Sequence, residues 1–179
     1  MDKKVFQEIV KNLEGLNYFF FSGIAIEIYT NGKRKAKDLD IVIHEKDAET
    51  FAKKINSKIR HRVMSKDTFS IDDYGFETKF KNQEIEVTTG FPKKRMEDNT
   101  FEKLFKRKLK KKYRGVSIFL VPIEELIAHK AWMHREKDKE DLKRLVDTKI
   151  DLKFLKEIAK DWGAEKEIIT LLKGVGYRV

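Results

Sequence analysis

The feature that most restricts this chain is the run Tyr18-Phe19-Phe20-Phe21, stopped short by Ser22-Gly23. Four consecutive large apolar side chains leave no polar face however the backbone pleats, so the segment reads as a buried strand. Residues Ile24 to Tyr29 follow as a helical segment, and Thr30-Asn31-Gly32 closes it as a turn. A strand that passes at once into a helix presents backbone N–H groups at the helix start, where an anion is favoured. Gly23 lets a phosphate approach the backbone closely, and Ser22 can add a hydroxyl donor or cap the helix.

The second constraint is Asp38-Leu39-Asp40-Ile41-Val42-Ile43. On a strand, Leu39, Ile41 and Ile43 share one face, and Asp38, Asp40 and Val42 share the other. Two carboxylates held so close resist joint ionisation unless a cation sits between them. A divalent ion with oxygen ligands, Mg²⁺ or Mn²⁺, resolves that conflict and suits phosphoryl transfer. A third carboxylate would complete such a site. Glu86, between Ile85 and Val87 on a strand over residues 84–88, is the candidate; Glu84 shares its face and is the alternative.

The remaining text alternates. Val5, Ile9, Val10 and Leu13 form one stripe of a helix from Val5 to Leu16, and Lys46 to Ile55 reads as another. Residues 59–89 are strand-like, with turns expected at Asp72-Asp73 and at Lys81-Asn82-Gln83, followed by a polar loop containing Pro92. Phe101, Leu104, Phe105 and Leu109 fall at helical spacing, so Phe101 to Tyr113 is expected as one basic helix before a short strand, Val116 to Val121. Helices follow around Leu126–Trp132 and over Lys139–Val146, Leu152–Trp162 and Glu165–Leu172. The order predicts an α+β core over residues 1–121 and a C-terminal helical region over 122–179.

Composition excludes some chemistry. With no cysteine there is no disulfide, thiolate nucleophile or Cys-type zinc site. No apolar run approaches the ~20 residues of a membrane span, and the N-terminus leads into an amphipathic segment, so a cytoplasmic location and no membrane partner are expected. The four histidines, His44, His61, His129 and His134, show no metal-ligand spacing. The net charge of +10 favours an anionic partner: nucleic acid, nucleotide or acidic protein. The segment Lys103 to Arg114 concentrates it, and would serve a phosphate backbone or simply be a solvated lysine-rich face.

The order of apolar strand, Ser22-Gly23 turn, helix, Asp38-Leu39-Asp40-Ile41 strand and later Ile85-Glu86-Val87 strand resembles the minimal nucleotidyltransferase fold of the DNA polymerase β superfamily. Downstream, Glu125-Leu126-Ile127-Ala128-His129-Lys130, then Arg135, then Lys137-Asp138-Lys139-Glu140-Asp141-Leu142 is similar to the later motifs of AbiEii-type toxins and, more loosely, of lincosamide-type nucleotidyltransferases. The resemblance implies a mixed sheet flanked by helices. It implies transfer of a nucleoside monophosphate from a triphosphate such as ATP to an acceptor hydroxyl. Asp38, Asp40 and Glu86 would then be the catalytic, metal-holding carboxylates. Ser22, Gly23, Arg34, Lys130, Asp138 and Asp141 would surround the nucleotide. RNA, such as a tRNA end, is the acceptor implied by the toxin-like motifs, with an acidic antitoxin as partner; a small-molecule acceptor of the antibiotic type, or a non-catalytic binding module on this fold, are the alternatives. Two positions depart from the pattern: Ala36 stands where relatives carry a small hydroxylated residue, and the turn has a single glycine.

Overall fold

The computed structural model describes residues 1–66, 69–89 and 100–179, with side chains described for 1–60, 75–89 and 102–179. The Pro92 loop and the side chains of His61 and Phe101 lie outside the described residues. In chain order the elements are α1 (Lys3–Asn12), β1 (Tyr18–Phe20), α2 (Ser22–Tyr29), β2 (Leu39–Ile43), α3 (Glu45–Lys54), β3 (Arg60–Lys66), β4 (Phe69–Phe80), β5 (Gln83–Thr88), α4 (Thr100–Arg107), β6 (Leu109–Tyr113), β7 (Val116–Leu120), α5 (Ile123–Met133), α6 (Glu136–Leu145), α7 (Leu152–Asp161) and α8 (Glu165–Gly174).

The described strands form one seven-stranded mixed sheet in the order β3-β4-β5-β2-β1-β7-β6. The aromatic run lies near its centre. β1 pairs antiparallel with β2 and parallel with β7, while β2 pairs parallel with β5. Successive residues on a strand face opposite sides. Accordingly Phe20 packs on Phe6 of α1, ring centroids 5.5 Å apart, and Phe19 packs on Phe105 of α4 at 5.2 Å. Both faces of β1 are thus covered, and Tyr18, Phe19 and Phe20 are buried. The core continues without a break into the C-terminal helices, where Leu126, Ile127, Leu142, Leu155, Trp162 and Leu172 are buried.

Two expectations are corrected. Phe101 to Tyr113 is not one helix: α4 ends at Arg107 and β6 begins at Leu109. The apolar spacing runs on to Leu109, but Arg114 and Gly115, at φ 49° and 85°, form a two-residue hairpin turn that pairs β6 with β7. Nor is Asp72-Asp73 a turn. Both residues lie within β4, opposite Val63 and Arg62 of β3, so strand pairing overrides their turn preference. The turn at Lys81-Asn82 is present, with both residues at positive φ, and it joins β4 to β5.

Candidate active site

Pairing in the sheet sets the acidic group. β2 and β5 run parallel in a register that puts Asp40 opposite Glu86. Glu84 lies two residues away and pairs with Lys79 at 3.1 Å. Asp38 immediately precedes β2. Asp40 is pushed up to about 6, first by burial and then by the negative charges of Asp38 and Glu86. The Gly23 N–H, 3.3 Å from Asp40 Oδ2, and the Ser22 hydroxyl oppose this rise only in part. Among the described residues no three His, Asp or Glu side chains are gathered at metal-ligand spacing. The trio is a loose electrostatic cluster, not a closed cage. Asp38 and Glu86 line an open hollow of about 440 Å³ with Glu77, Thr78, Lys79, Glu84 and Ile85.

The Ser-Gly turn sits against these carboxylates because β1 does. The Phe21 N–H donates to the Asp40 carbonyl at 3.0 Å, extending the β1–β2 pairing by one residue. Phe21, not Ser22, occupies the position before α2 and offers no side-chain cap. Ser22 stands at φ 45°, a region that costs a non-glycine residue roughly 1–3 kcal/mol. Its hydroxyl turns toward Asp40 instead of capping the helix. Gly23 is where charges of both signs meet. A β-carbon there would lie 3.4 Å from Arg34 Nη1 and 3.5 Å from Asp38 Oδ1. Arg34 Nη1 is itself buried and has no hydrogen-bond partner.

The downstream motif forms a second charged cluster behind the first. Lys130 is 3% exposed, and its Nζ lies 3.0 Å from Asp138 and 2.9 Å from Asp141, themselves 0% and 2% exposed. Arg135 also binds Asp138, and Asp141 Oδ1 receives Arg34 Nε at 3.2 Å. Burial pushes the Asp138 carboxyl up, but hydrogen bonds from Arg135 and the charge of Lys130 outweigh it and hold the group below its ordinary value. Lys130 is therefore enclosed by carboxylates, and the cation that reaches the Gly23 notch is Arg34.

His129, beside Lys130, packs edge-on against Phe21 at 4.7 Å. Burial, with the adjacent Lys130 charge, pushes its imidazole down to about 3, so it stays neutral and supports the turn as an aromatic ring. In the basic segment, Lys103 and Arg107 pair with Asp161, Arg107 also binds Glu125, and Lys108 bonds Asn17 and stacks over Phe119. Lys110, Lys111 and Lys112 on β6 are exposed.

Glu27 is the residue that sequence reading missed. It is 4% exposed in α2 and accepts the Ala36 N–H at 2.7 Å and the Tyr113 hydroxyl at 2.6 Å. The available signal was its setting, the one charged residue in the apolar segment Ser22 to Tyr29. Among the described residues no helix is long and apolar enough to cross a membrane.

No family model matches the sequence, and no curated protein matches it. Solved structures do. A Thermotoga maritima protein named as a candidate nucleotidyltransferase superposes with a TM-score of 0.58 at 20% identity, covering 79% of this chain and 89% of that one. An antigenic nucleotidyltransferase-like protein from Paracoccidioides brasiliensis superposes with a TM-score of 0.56 at 15% identity, covering 97% and 86%. The chain has the fold of these nucleotidyltransferase-type structures.

Proposed function

We propose that this chain transfers a nucleoside monophosphate from a nucleoside triphosphate to an acceptor hydroxyl. One observation carries the reading: at Gly23 a buried donor with no hydrogen-bond partner, Arg34 Nη1, meets the Asp38 end of the acidic group, with Asp38 Oδ1 beside it. A triphosphate together with a divalent cation satisfies both.

Asp38, Asp40 and Glu86 would hold Mg²⁺ or Mn²⁺. All three offer oxygen donors, and the mutual repulsion that raises Asp40 is what a cation relieves. When bound, the ion supplies positive charge to the phosphate oxygens and to the acceptor hydroxyl. The protein's own share is positioning. Arg34, Ser22 and the start of α2 receive phosphate oxygens, and Glu86 takes the proton of the acceptor hydroxyl. The acceptor oxygen then attacks the α-phosphate and pyrophosphate leaves. Lys130, Asp138 and Asp141 act from behind, by holding Arg34.

RNA is the acceptor we favour, because exposed Lys110, Lys111 and Lys112 offer a phosphate backbone a basic strand and because the downstream motifs are toxin-like; an acidic antitoxin would use the same strand. A second reading has its own support. The hollow beside Asp38 and Glu86 also carries Glu77 and Glu84, a lining that suits a small cationic acceptor. Incubation with α-³²P-labelled nucleotides, Mg²⁺ and total RNA tests the proposal, with an Asp38→Ala/Asp40→Ala control. Label on RNA that needs both aspartates supports it. Label on added small cationic molecules that carry hydroxyl groups, such as amino sugars, alone moves the acceptor to the second reading. RNA binding unchanged in the control, with label transferred nowhere, overturns the transferase in favour of a binding module.

A further inference from the structure

Resting on that proposed site, we infer that Glu27 and Asp141 are positioning residues for the segment that delivers Arg34 and Asp38, with Glu27 setting the Asp38 end and Asp141 the Arg34 end. Residues 33–38 connect α2 to β2 without helix or strand of their own. Such a segment needs external anchors if its side chains are to stand still. Two nearly inaccessible carboxylates, from α2 and α6, supply them.

Glu27 Oε2 accepts the Ala36 N–H at 2.7 Å, two residues before Asp38. Its other oxygen accepts the Tyr113 hydroxyl at 2.6 Å, with Lys35 at 3.5 Å and Arg114 at 3.6 Å. Both oxygens are thus committed, and the Ala36 amide is tied to the β6–β7 hairpin as well as to α2. Asp141 divides in the same way. Its Oδ2 faces Lys130 at 2.9 Å, while Oδ1 receives Arg34 Nε at 3.2 Å. With Nε fixed, the planar guanidinium has one remaining edge, and Nη1 on it lies over Gly23. A buried ion pair is a poor means to stability, since apolar side chains of equal volume do as well or better. Its advantage here is direction. Neither carboxylate lines the hollow beside Asp38.

The two anchors predict separable defects. Mn²⁺ binding without nucleotide, read by electron paramagnetic resonance, reports the Asp38 end. Binding of metal-free ATP in EDTA, read by calorimetry, reports the Arg34 end. Glu27→Leu weakens Mn²⁺ binding on the order of tenfold or more, as loss of a ligand's supporting contact does, with metal-free ATP affinity within about threefold. Asp141→Asn weakens metal-free ATP binding by about tenfold and leaves Mn²⁺ affinity within about threefold. In an Arg34→Ala background Asp141→Asn has no further effect on ATP, because the two act through one contact. An equal loss on top of Arg34→Ala overturns the Asp141 assignment, and wild-type Mn²⁺ affinity in a folded Glu27→Leu overturns that of Glu27.

If Glu27→Leu fails to fold, Glu27→Gln decides. The Ala36 amide proton moves upfield as its charge-assisted bond weakens, and Mn²⁺ affinity falls about two- to threefold; a shifted amide with unchanged affinity overturns the assignment. Wild-type protein that binds neither Mn²⁺ nor ATP fails the transferase reading, and the positioning proposal with it. Wild-type binding with inseparable variants sinks the positioning alone.

Discussion

Two clusters of aspartates lie on either side of Arg34 and could hardly differ more. In front, Asp40 is pushed up to about 6, first by burial and then by the negative charges of Asp38 and Glu86. Behind, Asp138 and Asp141 are more deeply buried, yet Lys130, Arg135 and Arg34 compensate them, and Asp138 is held below its ordinary value. The same side chain is shifted in opposite directions by its neighbours. The comparison also bears on Lys130: the downstream motif implies a phosphate contact, while two of the three ammonium protons face Asp138 and Asp141, at 3.0 and 2.9 Å.

Substitution should separate the clusters by what is lost. The largest effect expected is on turnover: Asp38→Asn or Asp40→Asn lowers the rate of label transfer by roughly 10³-fold or more, since the proposed phosphoryl chemistry would depend on the charge these groups hold. Single-turnover transfer from α-labelled triphosphate measures it, and circular dichroism of both variants should match the wild type. A rate within tenfold of wild type would make the front cluster structural after all. Next comes Lys130→Met, which keeps the volume and removes the charge. Breaking one side of a buried pair costs about 3–5 kcal/mol, and the lower figure applies because Arg135 and Arg34 remain. Urea unfolding reads it directly. A loss under about 1 kcal/mol, with weakened ATP binding, would return Lys130 to the nucleotide.

The front cluster was legible in the sequence to the extent that it is local. Asp38 and Asp40 share a strand face by period alone, and Ser22-Gly23 announces its own turn. The Asp40–Glu86 register was not legible, because it depends on β5 pairing in parallel beside β2 across an interval of more than forty residues. What favours Glu86 over Glu84 is likewise tertiary: it is Glu86 that the β2–β5 register sets opposite Asp40. Glu27 escaped for a different reason. A lone glutamate in a short helix reads as its solvent face, and only a helix buried nearly all round shows that no such face exists. The basic segment was misread because Phe105 and Leu109 stand four apart, as on a helix, while the Arg114-Gly115 hairpin that decides the matter lies just beyond them.

A smaller effect concerns pH, and its sign differs between the clusters. The folded-state value of Asp40, about 6, lies above its ordinary value of 3.8, so folding favours the protonated form. Above pH 6 the ionised group destabilises the metal-free protein, and the penalty vanishes as pH falls below about 4. Asp40→Asn should therefore stabilise the metal-free fold by about 1–3 kcal/mol at pH 7.5 and by only about 0.5 kcal/mol at pH 4. Asp138, depressed in the fold, contributes stability that is present above its unfolded value and lost as pH falls through the folded one, so Asp138→Asn should destabilise at pH 7.5 and less so in acid. Urea midpoints at the two pH values test both signs. Saturating Mn²⁺ should stabilise the wild type and leave Asp40→Asn where it was.

The smallest effect is the most discriminating test of what makes the rear cluster a device. Asp141 Oδ1 receives two guanidinium groups at nearly equal distance, Arg34 Nε at 3.2 Å and Arg144 Nη1 at 3.3 Å. Distance alone ranks them together; their surroundings do not. Arg144 is 40% exposed, sits three residues from Asp141 on the same helix and shares its charge with Glu140, so solvent screens it and its loss orders nothing else. Arg34 reaches from another segment and carries an unpartnered nitrogen into the Gly23 notch. Arg144→Gln should cost under about 0.5 kcal/mol, as exposed pairs on one helix do, and leave the affinity for metal-free ATP unchanged. Arg34→Gln should cost comparably little stability and most of that affinity. Equal losses of ATP binding in the two variants would mean that Asp141 acts through its total charge rather than by aiming one arginine.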